Sequence, residues 1–68
     1  MRYAVVIEEA GDRYSAYVPD LPDCVASAKT AVLVEREIRS AIRAHIDELE
    51  QNGLPIPAPR SIAKYIDA

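Results

Sequence analysis

A two-layer α+β fold in the order β-β-β-α is predicted by three observations in the 68 residues. Polarity alternates on both sides of Gly11-Asp12. A run of small residues, Cys24 to Ala28, follows a Pro-rich turn. From Val34 the apolar positions 34, 38, 41, 42, 45, 46 and 49 form one stripe of a long helix.

From Arg2 to Glu8 the strand period of two puts Tyr3, Val5 and Ile7 on one side and Ala4, Val6 and Glu8 on the other. Gly11-Asp12 supplies the turn, since Gly takes positive φ freely and Asp bonds nearby backbone. Tyr14, Ala16 and Val18 then share a face opposite Ser15 and Tyr17, which completes a hairpin. Pro19 and Pro22 fix φ and remove two donors, so the hairpin is predicted to end at residues 19–23, with Cys24 to Ala28 returning as a third strand. Thr30 is a suitable N-cap for a helix over 31–52. Gly53 suits its left-handed C′ position, and Pro55, Pro57 and Pro59 forbid its continuation and stiffen an extended strap. Beyond Ser61, Ile62, Tyr65 and Ile66 lie at helical spacing, and the segment closes either as a short C-terminal strand or as a helical turn.

Chain length predicts one domain over residues 1–68, and a domain this small hides only about 60% of the surface its unfolded chain exposes. Cys24 is the only cysteine and His45 the only histidine, so no internal disulfide and no His/Cys zinc cluster can reinforce it. Phe and Trp are absent, leaving an aliphatic core. Self-association, as a homodimer or higher homo-oligomer, is therefore expected. The pattern names its candidates. If Tyr3, Val5 and Ile7 pack under the helix, Ala4 and Val6 face outward. Val32 and Leu33 stand off the helix stripe, in a first turn where an acid would suit the helix dipole.

Net charge is −3, and residues 1–28 carry two basic against five acidic side chains, which accounts for all of it. That balance excludes a nonspecific grip on phosphate backbones, so direct DNA binding by this chain is not expected. No run reaches the roughly 18 to 20 apolar residues of a membrane span, and no basic leader precedes an apolar stretch, so a cytoplasmic protein is expected. An acidic N-terminal half suits a basic partner. Its candidate contacts are Glu8, Asp20, Asp23 and Tyr17, the last because an exposed tyrosine anchors interfaces well.

Catalysis, metal binding and cofactors are not expected. Metal-assisted hydrolysis needs several carboxylates converging from rigid elements, whereas Asp20 and Asp23 lie in a turn that already explains them. Cys24 has no neighbouring base to make a thiolate, and His45 projects from the apolar stripe. The basic strip Arg36, Arg39 and Arg43 is diluted by Glu35, Asp47 and Glu50, as on a solvated face.

The segment Tyr14 to Val25, with its Pro19-Asp20-Leu21-Pro22-Asp23-Cys24 turn, followed by Thr30, the helix with His45, and Gly53-Leu54-Pro55-Ile56-Pro57, resembles the HicB antitoxin family. The resemblance covers nearly the whole chain. It implies a partial RNase H-like fold and an antitoxin that binds and occludes a small basic mRNA-cleaving HicA-type toxin. The alternative is an orphan oligomeric module of the same fold without a toxin. Departures from the family pattern are Asp23 at a usual Gly, Ala28-Lys29 at a usual Gly-Asp, and Val32 and Leu33 at positions commonly Glu.

Overall fold

The computed structural model describes residues 1–68, with β1 (Val6–Ala10), β2 (Arg13–Val18), β3 (Leu21–Ala28) and α1 (Ala31–Gln51) in that order. The strands form one antiparallel sheet ordered β1-β2-β3, so the predicted β-β-β-α arrangement is the one adopted. Ala10 pairs with Arg13 across the two-residue loop, where Gly11 takes φ +66° and Asp12 does not turn positive, as in a II′ hairpin.

Both ends of the predicted strands shift. β1 begins at Val6 rather than Arg2. The ladder's last pair is Val6 with Tyr17, after which β2 meets a register irregularity and then Pro19, which has no N–H to offer. β3 begins at Leu21 rather than Cys24, and Pro22 lies inside it. The register explains the tolerance: Tyr17 pairs with Val25 but Val18 pairs with Leu21, so Pro22, Asp23 and Cys24 bulge out with no ladder partner. An edge strand with a bulge is where a strand proline fits. The turn between β2 and β3 is thereby reduced to Pro19-Asp20.

That bulge also reverses the phase of β3. Leu21 turns inward beside Val18, and after the bulge Cys24 and Ala28 are buried as well. The core is seven side chains, Ala16, Val18, Leu21, Cys24, Ala28, Val34 and Ile38, with Tyr3, Val5, Tyr14, Ala26 and Ile42 packed around them.

The helix follows the sequence closely. Thr30 Oγ1 accepts from Leu33 N at 3.1 Å. At the other end Leu54 N donates to Leu49 O at 2.9 Å and Gly53 N to Glu50 O at 3.1 Å, with Gly53 at φ +64°. This pair of bonds is a Schellman motif, and its left-handed residue is the reason for a glycine there. Twenty-one helical residues span about 31 Å and the five of β1 only about 17 Å. The stripe consequently loses cover along its length: Val34 and Ile38 are buried, while Ala41, Ile42, His45, Ile46 and Leu49 are half-buried. The helix lies mainly over β3 and β2 and barely touches β1. A groove of about 650 Å³ stays open between them, lined by Tyr3, Val5 and Ile7 from one side and Ile38, Ile42 and Ile46 from the other.

From Ser61 onward the chain forms neither the strand nor the helical turn that the sequence allows, and residues 54–60 likewise belong to no strand or helix. Alternate prolines remove backbone donors, and the segment is held instead by isolated bonds: Tyr3 Oη donates to Pro57 O, and Asp20 takes the amides of Arg60 and Ser61. Beyond Ser61 no side chain is buried. A short helix without tertiary contacts does not sustain itself in water.

Candidate partner-binding face

Strand alternation decides what the sheet shows on the side away from α1. With Ala16 and Val18 turned to the core, Tyr17 and Ser15 must point outward, and the register places Val6 and Val25 on either side of Tyr17. Val6, Tyr17 and Val25 thus form one apolar row crossing all three strands. Tyr17 is 42% exposed and Val25 64% exposed, so the row is open to solvent. The next row is polar, Glu8, Ser15 and Ser27, and it is braced by Arg13 Nε donating to Ser27 Oγ at 3.2 Å. Asp23 is exposed in the bulge, two residues along β3 from Val25. Acids therefore border the apolar row from opposite edges of the sheet.

The residues singled out from sequence distribute unevenly. Glu8, Tyr17 and Val6 come together on this face, although Val6 was assigned to self-association and the other two to a basic partner. Ala4 is half-buried in a recess shared with Arg2, Tyr3, Ser61, Ile62 and Ala63, at the root of the C-terminal tail. Val32 and Leu33 are exposed on the first turn of α1, where the sequence placed them, away from the sheet face. Val25 was missed. Its outward aim depends on the bulge, and no residue in the segment announces how many positions that bulge inserts.

Asp20 is engaged by its own chain. One carboxylate oxygen accepts from Arg60 N and Ser61 N, each at 2.9 Å, and the other from Ser61 Oγ at 3.0 Å. The Ser61 amide first, then that of Arg60, hold the Asp20 carboxyl below its ordinary value by stabilising the charged form. A depressed folded pKa means that the tether is complete above the ordinary carboxylate range and is lost as pH falls through the folded value. Asp20→Ala is expected to speed trypsin cleavage after Arg60 several-fold at neutral pH. Wild-type chain should show the matching amide-exchange loss at Arg60 and Ser61 only in stronger acid. Equal cleavage rates in the two proteins would show that the bonds do not hold the tail.

Cys24 is buried with its Sγ 3.9 Å from Ala41 O, and burial, followed by the charge of Asp23, raises its thiol pKa. A thiol so placed is a poor nucleophile. No three His, Cys, Asp or Glu side chains gather in metal-holding geometry, and no helix is long and apolar enough to cross a membrane.

Residues 3–68 match the model of a family described as HicB-like antitoxin of bacterial toxin-antitoxin systems. Among curated relatives, an uncharacterized 14.9 kDa protein from the rep-hol intergenic region of Haemophilus phage HP1 is 30% identical over 67 residues, covering 98% of this chain and 50% of that protein. A UPF0150 protein of Thermoplasma acidophilum is 38% identical over 58 residues, 84% of each chain. The chain thus spans half the length of the phage relative. No solved structure gives a significant match.

Proposed function

The chain belongs to the HicB-like antitoxin family of bacterial toxin-antitoxin systems, and from that premise we propose that it silences a small basic HicA-type ribonuclease by covering it. The observation that carries this reading is the open row Val6, Tyr17 and Val25 with Glu8 and Asp23 at its borders. An apolar centre with a charged rim is how protein interfaces are built. The residues of the sheet and its turns also hold the entire net charge, so the field that would steer a cationic protein emanates from the same layer.

In this reading residues 1–68 act as a single domain in the cytoplasm, where mRNA is cleaved, and the mechanism is occlusion rather than chemistry. The β-β-β-α unit serves as a partial RNase H-like scaffold, and analogy of fold carries no activity with it. The chain itself needs no contact with DNA for this role.

The test is co-expression with a HicA-type toxin. Growth arrest by the toxin should be relieved, and the two proteins should co-purify at low salt. Association should slow by about tenfold or more as salt shortens the range of charge steering. Arrest that persists at full expression of this chain would end the antitoxin reading.

A further inference from the structure

We propose that two copies of this chain exchange their C-terminal tails, with Ile62, Tyr65 and Ile66 of each copy entering the groove between β1 and α1 of the other. The inference does not depend on the identity of any toxin. It begins with two surfaces that the fold leaves unfinished. Ile62, Tyr65 and Ile66 are 81%, 105% and 87% exposed, so the body of their own chain covers almost none of their surface. The groove, meanwhile, exposes Ile7 and leaves Val5, Ile42 and Ile46 half covered, because the helix overhangs a short edge strand.

Donor and acceptor are adjacent. Asp20 fixes the root of the tail at Arg60 and Ser61, and Tyr3 lines both the recess at that root and the groove itself. Adjacency lets one two-fold axis close both exchanges at once, which is the usual form of a homodimer. The three tail residues follow i, i+3, i+4 spacing, so a single helical turn formed on docking presents all of them to the groove together. Charge does not oppose this placement, since Arg39 and Arg43 line the groove beside Glu35, Asp47 and Glu50, and the tail carries one Lys64 and one Asp67, so apolar contact drives the docking.

Size decides for a second copy. Tyr65 offers about 150 to 250 Å² of burial, and the two isoleucines add a comparable amount. The two tails together bury roughly 800 Å², and with the smaller share of the half-covered groove walls the pair of exchanges passes the roughly 1,000 Å² that a biological interface needs, where one exchange alone falls at the level of crystal contacts. The outer sheet face stays free, so dimerisation and toxin capture use different surfaces.

Sedimentation of the full chain across the micromolar range tests the proposal. Wild type should be a dimer whose affinity is insensitive to salt, unlike the toxin complex. The I62S/Y65S/I66S variant alters only exposed side chains and should fold unchanged, with its dimer dissociation constant raised by about a hundredfold or more. Ile46→Asp should also dissociate. Mixing these two variants leaves one intact tail opposite one intact groove and should restore a weak heterodimer. A solitary wild-type particle would overturn the exchange, including the case in which the tail folds onto its own groove. So would a tail variant that dimerises as tightly as wild type, whether or not it still captures toxin. Toxin capture by the monomeric tail variant should persist, which separates failure here from failure of the antitoxin reading.

Discussion

Leu21→Ala is expected to destabilise the chain by about 2 to 5 kcal/mol, the cost of removing a buried leucine side chain and leaving a cavity behind it. At roughly 0.05 to 0.15 kcal/mol per residue, a domain of this size holds only about 3 to 10 kcal/mol in total. The variant should therefore lose a large part of its stability and unfold at a much lower urea concentration than wild type. Leu21 is the largest of the fully covered core side chains, 0% exposed and paired beside Val18 at the start of β3. Only seven side chains are buried, so no neighbouring cluster exists to absorb the gap. Leu21→Met keeps the volume and should cost less than about 1.5 kcal/mol. Urea denaturation followed by far-UV circular dichroism measures both. If the alanine variant unfolds at nearly the wild-type midpoint, Leu21 does not carry the core stability that its burial implies.

Tyr17→Ala should produce the largest functional loss. As the central member of an exposed apolar row it is placed where truncation at interfaces costs about 2 kcal/mol or more, roughly a thirtyfold weakening of toxin capture. The fold should be little affected, since the ring packs on the solvent side of β2 and the core residues beneath it are Ala16 and Val18. Tyr17→Phe should retain most of the affinity if ring area dominates. Val25→Asp should resemble Tyr17→Ala, whereas Glu8→Lys should act mainly on the association rate, as rim charges do. Surface plasmon resonance of a HicA-type toxin against each variant reads both association rate and affinity and distinguishes these outcomes. Unchanged affinity in both Tyr17→Ala and Val25→Asp would place the toxin on another surface.

The sequence by itself determined the elements whose signals are local. Thr30 and Gly53 bounded the helix to within a residue, because a cap and a left-handed stop each act on the backbone beside them. The stripe from Val34 to Leu49 identified the buried side of α1, and alternation in Tyr14 to Val18 identified the inner side of β2. The antitoxin family was legible too, in motifs spread from Tyr14 to Pro57. Tertiary structure alone decided what depends on register. The number of residues in the β3 bulge turned Leu21 into the core and aimed Val25 outward, while the β1–β2 pairing set Val6 directly beside Tyr17. The fold also gave Asp20, a turn residue by sequence, a partner forty positions away in Arg60. Pairing across strands and contacts between distant segments are set by the packing of the whole chain, and a pattern read along one strand cannot supply the offset between two.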